Sequence, residues 1–164
     1  LATRNGMSIR FKESEVRPIG RTGRGVRGMA LREGDAVVGA EIIEPGASDG
    51  ELEGTEKAPE PSSRKTILTA TDKGYGKRTE LEEYRVQSRG GLGVITIKCN
   101  EKIGSVIGIQ QVSDTDELMV ITSGGNIVRM KVDEISVIGR NTQGLRLVGL
   151  GEDKRVVCVA KVLE

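Results

Sequence analysis

The sequence predicts an all-β fold, and the prediction depends on residue usage and on an internal repeat. The chain has 164 residues with 23 Gly, one Phe, two Tyr and no Trp, so its core must be built from Val, Ile, Leu, Met and Ala. Glycine mixed with β-branched residues and short polar breaks is typical of short strands joined by tight turns. The length suits one domain, and two small ones are not excluded.

The chain contains three related units. Residues 1–43 superpose without gaps on 69–111 and on 120–162. The identical triples are Thr3/Thr71/Thr122, Gly6/Gly74/Gly125, Arg10/Arg78/Arg129, Glu15/Glu83/Glu134, Arg21/Arg89/Arg140 and Gly25/Gly93/Gly144. A period of about 50 residues filled with short strands predicts a propeller or similar array, because one unit cannot bury its apolar face without a neighbour.

Each unit is expected to form four strands, the number in a propeller blade. The first strand ends at a Thr before a glycine-bearing turn, as at 72–74, and the second leaves through the repeated Arg10, Arg78 or Arg129. These two strands form a hairpin. An acidic corner and a polar loop follow, and two apolar stretches, 93–97 and 105–109 in the second unit, complete the blade.

The segments between the units carry a net negative charge. The stretch 44–63 is rich in Glu, Gly, Pro, Ser and Ala, which predicts a flexible surface insert. Residues 1–40 carry a net charge of +4 and residues 41–66 one of −4. The glycine-rich units are therefore basic, although the whole chain is nearly neutral.

Several classes of function find no support in the residues. The chain has no His and no cluster of metal ligands, and its two cysteines, Cys99 and Cys158, are expected to be reduced and buried. Tyr84 stands where the other units hold Val16 and Ile135, so it is expected to pack rather than act as a nucleophile. No apolar run reaches the roughly 18 residues of a membrane span and no signal peptide opens the chain. We expect a cytosolic protein without an active site.

Residues 23–28 match the dinucleotide fingerprint G-x-G-x-x-G. A true site needs a strand before the motif and a helix after it, within a βαβ unit. Here residues 29–38 share a strand-like pattern with the other units, which lack the fingerprint. An enzyme that binds a dinucleotide is therefore only an alternative, which soaking with a dinucleotide would test.

Arginines cluster in the loop after the second strand of each unit. They are Arg17, Arg21, Arg24 and Arg27 in the first unit, Arg85 and Arg89 in the second, and Arg140 and Arg146 in the third. Guanidinium groups beside glycines suit close contact with phosphates, and the few aromatics argue against a stacking platform for single strands. Successive basic loops predict a curved rim on which duplex DNA bends. Alternatively, the arginines pair with Glu15, Glu83 and Glu134.

The predicted DNA-binding set also includes basic residues of the second strands. The full set is Arg10, Arg17, Arg21, Arg24, Arg27, Lys77, Arg78, Arg85, Arg89, Arg129, Arg140 and Arg146. Simultaneous charge reversal of Arg21, Arg89 and Arg140 is expected to abolish duplex binding and to leave the fold intact.

Two stretches closely resemble the C-terminal domain of the bacterial gyrase A subunit: 67–79, ILTATDKGYGKRT, and 134–144, EISVIGRNTQG. The resemblance covers nearly the whole chain outside the insert. It implies a six-bladed β-pinwheel, a propeller whose neighbouring blades exchange strands, and it implies that this chain is a fragment with the last three blades. Such domains wrap duplex DNA around the outer edge and so direct negative supercoiling.

The same resemblance implies that the chain is not itself an enzyme. The catalytic tyrosine, the Mg-binding acids and the ATPase belong to other domains of the topoisomerase, so no cofactor is expected here and ATP and Mg act elsewhere. The implied partners are double-stranded DNA, the remainder of gyrase A and the gyrase B subunit, in the bacterial cytoplasm at the nucleoid, with no membrane.

The chain departs from the family at one motif. The gyrase A box, a basic QRRGGKG loop that wrapping requires, has only a degenerate copy at 87–93, QSRGGLG, with Ser88 and Leu92 in place of basic residues. The true box would lie upstream, so weaker binding than that of an intact domain is expected. Half a propeller also leaves strand edges unpaired, which predicts self-association, for example as a two-fold dimer that rebuilds six blades. A clean monomer in ultracentrifugation at micromolar concentrations would contradict that prediction.

Two further alternatives remain at this point. One is the equivalent domain of topoisomerase IV, and an intact box upstream would instead indicate gyrase. The other is a propeller used only for protein contacts. A salt titration separates this last alternative from DNA binding, because phosphate contacts weaken with a log–log slope of about −0.9 each.

Overall fold

The computed structural model describes residues 1–43 and 65–162, so the insert predicted at 44–63 lies outside the described residues. The described part contains strands and short 3₁₀ helices, which confirms the all-β prediction. It holds no helix long and apolar enough to cross a membrane. The 3₁₀ helices, Glu13–Glu15, Leu81–Glu83 and Val132–Glu134, each follow the second strand of a unit.

The strands are short, as the frequent glycines predict. They are β1 (Ala2–Thr3), β2 (Met7–Ser8), β3 (Val37–Gly39), β4 (Lys65–Thr71), β5 (Tyr75–Glu80), β6 (Val94–Ile95), β7 (Val106–Ser113), β8 (Glu117–Thr122), β9 (Ile127–Lys131), β10 (Leu145–Arg146) and β11 (Val156–Lys161). They form three antiparallel sheets in the orders β3-β1-β2-β6, β7-β4-β5-β10 and β11-β8-β9.

The hairpin turns show why Thr and Gly recur in all three units. In the second unit the hydroxyl of Thr71 accepts a hydrogen bond from the Tyr75 N–H at 3.3 Å and donates one to the Tyr75 carbonyl at 3.1 Å. Gly74 then turns the chain with a φ of 80°, a conformation that residues with a Cβ avoid. A Cβ on Gly74 would also lie 2.6 Å from the carbonyl oxygen of Val148 in the next unit.

The third strand of a unit joins the sheet of the preceding unit. β6 of the second unit pairs with β2, and β10 of the third unit pairs with β5. This is the strand exchange that the resemblance implies, so the pinwheel expectation is confirmed. The third sheet has no exchanged strand at β9 among the described residues, and the segment 26–27, equivalent to β6 and β10, lies outside the three sheets. Self-association through these edges stays a prediction.

The fourth strands of the three units lie side by side. β7 packs against β3 of the first unit and against β11 of the third, whereas β6 and β10 form the opposite edges of their sheets. We therefore call β3, β7 and β11 the inner edge, and the side of β6 and β10 the outer edge. This arrangement places the exchanged strands and the loops before them on the periphery of the array.

Apolar side chains join neighbouring units. One cluster packs Leu68 and Val112 of the second unit against Leu118, Val132 and Ile135 of the third. Each sheet packs its apolar face against the neighbouring sheet, so the units depend on one another to bury their apolar side chains.

The predictions for Tyr84 and the cysteines have different outcomes. Tyr84 is buried, with its hydroxyl 2.7 Å from the hydroxyl of Thr96, so it packs as expected. Both cysteines are free thiols, but Cys99 is only half-buried and Cys158 is exposed, which corrects the prediction of two buried residues. A register shift between Val156 and Cys158 interrupts the alternation of β11, and such a bulge turns consecutive side chains outward.

Candidate nucleic-acid interface

The basic loops of the second and third units lie along the outer edge, each against the unit that precedes its own. The loop of the second unit contacts the first, where Gly90 N donates to the Gly28 carbonyl at 2.7 Å. The loop of the third unit contacts the second, where Lys98 N donates to the Thr142 carbonyl at 2.8 Å. Loops of successive units therefore occupy equivalent places along the periphery.

The repeated glutamates bind these loops across the unit boundary. The Arg89 N–H donates to Glu15 Oε2 at 3.0 Å, and the Arg140 N–H donates to Glu83 Oε2 at 3.1 Å. The alternative interpretation, pairing of the arginine side chains with the repeated glutamates, is realised at Arg140, whose Nε lies 3.8 Å from Glu83 Oε2, whereas Arg89 binds the Glu15 carboxylate through its backbone N–H. Each of these two glutamates belongs to the preceding unit. The sequence repeat predicts the positions of these residues. Only the structure shows that a glutamate of one unit binds the arginine of the next unit.

The guanidinium groups of the same arginines bind backbone in the preceding unit. Arg89 Nη1 donates to the Arg27 carbonyl at 3.0 Å, and Arg140 Nη1 donates to the Ile95 carbonyl at 3.0 Å. Both side chains are half-buried. Charge reversal at Arg89 and Arg140 would break contacts between units, so the triple reversal that includes Arg21 is not expected to leave the fold intact.

The second-strand arginines have a structural role in this fold. Arg78 is 5% exposed, its Nε donates to the Ile135 carbonyl at 2.7 Å, and its Nη1 forms an ion pair with Asp114. Arg10 donates in the same way to the Leu81 carbonyl at 3.2 Å. These guanidinium groups anchor the 3₁₀ turn of the next unit, where protein oxygens rather than phosphates are their partners. The placement corrects the expectation that both face DNA.

Arg129 occupies the same position in the repeat as Arg10 and Arg78, but its environment differs. Its side chain is 61% exposed and forms an ion pair with Glu117 of the neighbouring strand. No later unit covers it within the described residues. Its guanidinium group is therefore available at the surface, unlike that of Arg78.

Lys77 is enclosed by the basic loop of the third unit. Its side chain is 1% exposed, and Nζ donates to the Gly139 carbonyl at 2.6 Å, to the Arg140 carbonyl, and to the Thr142 hydroxyl at 3.0 Å. Burial lowers the pKa of Lys77 to about 8. This lysine positions the loop that carries Arg140, which corrects its assignment as a phosphate contact.

Replacing Lys77 by Met is expected to cost more stability at high pH than at neutral pH. Its pKa is about 8 in the fold against 10.5 ordinarily, so between these values the unfolded chain holds a proton that the folded chain has released. The stability contributed by Lys77 therefore rises with pH in that window and is constant below it. Urea denaturation should show the deficit of the variant widening by about 2 kcal/mol between pH 7.5 and 10.

The exposed Lys131 offers the matched control for this experiment. Lys131→Met removes a surface lysine, so its deficit should be small and, measured at the same pH values, is the reference for the deficit of Lys77→Met. A deficit for Lys77→Met that stays constant or narrows toward pH 10 would contradict the burial of the ammonium group.

Five arginines of the predicted set remain exposed on the loops. Their side chains make no hydrogen bond or ion pair with any part of the chain that the structure describes; they are Arg17, Arg21, Arg24, Arg27 and Arg85. Backbone hydrogen bonds hold the two loops together, including Ala30 N to the Gly91 carbonyl at 2.8 Å. We call these five arginines, with the half-buried Arg89 and Arg140 and the exposed Arg146, the basic track. Arginines suit this place because the planar guanidinium group binds phosphate oxygens in pairs.

The glycine fingerprint lies inside the first of these loops. Between the first 3₁₀ helix and β3, residues 16–36 contain neither strand nor helix. The strand–turn–helix context of a dinucleotide site is absent there, and the interpretation as such a site is wrong. The strand-like pattern noted at 29–38 is realised only in β3.

Comparison with known proteins gives matches along most of the chain. Residues 1–44, 65–113 and 116–160 match a family model described as the DNA gyrase C-terminal domain, beta-propeller. The chain is 46% identical over 164 residues to the DNA gyrase A subunit of Escherichia coli strain K12 and 41% identical over 164 residues to that of Staphylococcus aureus strain MRSA252. The matches cover 100% of this chain and 17% of each of these relatives.

Solved structures share the fold. A structure of the DNA gyrase A C-terminal domain superposes with a TM-score of 0.79 at 24% identity, over 99% of this chain and 49% of that one. A crystal structure of the C-terminal domain of DNA topoisomerase IV superposes with a TM-score of 0.81 at 28% identity, over 98% of this chain and 45% of that one. The three units thus correspond in extent to about half of each of these domains.

Proposed function

The chain belongs to the family of DNA gyrase C-terminal domains with a β-propeller fold, and we propose on this basis that its outer edge binds duplex DNA and bends it. In this proposal the chain acts as a non-catalytic wrapping module of a type II topoisomerase that introduces negative supercoils. Its partners are duplex DNA, the remainder of gyrase A and the gyrase B subunit, in the bacterial cytoplasm. ATP and Mg act elsewhere in that assembly.

The basic track is the observation that carries the proposal. The loops of the second and third units lie at equivalent places on the units before them, and the loop of the first unit, which carries four of the exposed arginines, is hydrogen-bonded to the loop of the second. The units are arranged around a common inner edge. A duplex that follows the track must curve. Bending a site of about 20–30 bp through 40–90° costs on the order of 1–6 kcal/mol, so several phosphate contacts are needed, and the track supplies eight cationic side chains.

The C-terminal domain of topoisomerase IV is the second candidate, because its fold superposes equally well. Identities above 40% with the gyrase A subunits of Escherichia coli and Staphylococcus aureus favour the gyrase assignment. Both candidates would bind DNA through cationic side chains that contact its phosphates.

A duplex labelled at both ends with a donor and an acceptor dye tests binding and bending together. We expect the chain to bind a duplex of about 40 bp and to raise the energy transfer between its ends, because a curved basic surface shortens the end-to-end distance. A single strand of equal length should bind more weakly, since stacking aromatics are scarce. Binding without a change in transfer would contradict the bending, and no binding at all would indicate a protein-contact propeller.

A further inference from the structure

A cleft with an excess of positive charge opens between the second and third units. Its volume is about 610 Å³, and it is lined in part by Lys73, Tyr75, Lys102, Arg146, Lys154 and Arg155. The turn of the β4–β5 hairpin forms one wall, and the segment after β10 forms the other. We propose that this cleft binds phosphate groups of duplex DNA, an inference that rests on the proposed function.

Few carboxylates offset the charge of the cleft. Asp153 is the acid among its lining residues, and Asp72 binds one of the five cations, Arg155, at 2.7 Å. Lys73 Nζ donates to the Glu101 backbone carbonyl, a contact that leaves its charge unbalanced. Exposed Lys154 makes no side-chain hydrogen bond or ion pair with any residue in the described ranges. A concentration of like charges of this kind raises the local concentration of anions.

The ring of Tyr75 holds two of the cations close together. Lys102 Nζ lies 5.8 Å and Arg146 Cζ 5.7 Å from the ring centroid, within the range of cation–π attraction. Arg146 Nη2 also donates to the Tyr75 hydroxyl at 3.3 Å. This hydrogen bond, together with the charges of Arg146 and Lys102, keeps the pKa of Tyr75 below its usual value. The ring therefore offsets part of the repulsion between two cations that an anion would bridge.

The cleft is specific to this junction of units. At the junction of the first and second units, the repeat places Asn5, Met7, Gly34 and Ile95 opposite Lys73, Tyr75, Lys102 and Arg146. The strand register places Gly104 and Ser105 opposite Lys154 and Arg155. The first junction forms without these cations, so the fold itself does not require them. Their presence at one junction indicates a ligand contact made there.

The position of the cleft favours DNA as the source of the phosphate. Arg146 belongs both to the cleft and to β10, the outer edge of the second sheet. A duplex that follows the basic track past β10 therefore passes the mouth of the cleft. Free polyphosphates share the same chemistry and are distinguished by experiment.

The test compares two double variants of equal charge. Lys102→Gln with Lys154→Gln removes two exposed cations from the cleft, and Lys12→Gln with Lys131→Gln removes two exposed cations elsewhere. Fluorescence anisotropy at about 100 mM salt should show the cleft variant binding a duplex about 10-fold more weakly than the control, with a salt slope reduced by about 2. Circular dichroism of all three proteins checks the fold.

The outcomes separate the inference from the proposed function. If the wild type binds the duplex and the cleft variant binds like the control, the inference is overturned and the proposed function stands. If the wild type does not bind duplex DNA, the proposed function itself fails. Calorimetry with inorganic pyrophosphate is the second measurement. If the wild type binds pyrophosphate tightly while the cleft variant keeps its affinity for DNA, the cleft is assigned to a free polyphosphate and the inference is overturned.

Discussion

Replacing Arg78 by Met is expected to lower the free energy of unfolding by about 3 kcal/mol, because the substitution breaks a contact between two units. The guanidinium group is 5% exposed and binds the Ile135 carbonyl of the third unit and the Asp114 carboxylate of the connector between β7 and β8. Methionine keeps the volume but leaves both acceptors without a donor. Removing one partner of a buried ion pair costs about 3–5 kcal/mol, and partial exposure of Asp114 places the loss at the lower end.

The repeat supplies a matched control at Arg129. This residue has the same register in the third unit, but it is 61% exposed and pairs with Glu117 at the surface. Arg129→Met should therefore cost less than about 1 kcal/mol. Urea denaturation of both variants measures the difference, and equal losses would mean that the contact between units does not stabilise the fold.

Neutralising the four arginines of the first loop is expected to weaken duplex binding by about 100-fold at 100 mM salt. The variant replaces Arg17, Arg21, Arg24 and Arg27 by Gln. All four side chains are exposed and make no hydrogen bond or ion pair with a described residue, so stability should change by less than about 0.5 kcal/mol each. The affinity falls because up to four phosphate contacts, and the counterions they release, are lost.

A variant of equal charge controls for net charge. Lys12, Arg32, Lys98 and Lys131 are also exposed and lie outside the basic track, and replacing them by Gln should weaken binding by less than about 5-fold through the long-range field alone. Fluorescence anisotropy with one duplex measures all three proteins. Similar losses in the two variants would show that net charge rather than the track determines affinity.

Local patterns in the sequence predict the strands and turns of this fold well. Thr71 and Gly74 mark a hairpin because their hydrogen bonds and backbone angles are determined within a few residues. The loop arginines follow from the same kind of local reasoning, since glycine-rich irregular segments stay on the surface.

Contacts between units lie beyond this reasoning. Residues 76–79 of β5 are all buried, because β4 and β10 flank the strand and the next unit covers it. The alternation of side chains along this strand therefore does not reveal which of them face solvent. Lys77 and Arg78 therefore resemble surface cations in the sequence, although both bind oxygens of the third unit. The glutamate–arginine contacts likewise join a glutamate of one unit to an arginine of the next unit.

The cationic cleft is hidden in the sequence for a different reason. Superposing the units emphasises positions that repeat, whereas Lys73, Lys102 and Lys154 occur at one junction only. They come from three separate segments that strand exchange brings together. Their proximity therefore follows only from the topology.

The dependence of duplex affinity on salt tests the central claim most directly. If the outer edge binds phosphates through the basic track, the affinity of the wild-type chain should fall linearly in a log–log plot against salt concentration. The slope should be about −5 to −7, corresponding to about six to eight phosphate contacts at roughly −0.9 each. A slope near zero, or no binding at low salt, would contradict binding through the basic track, because cation–phosphate contacts always release counterions.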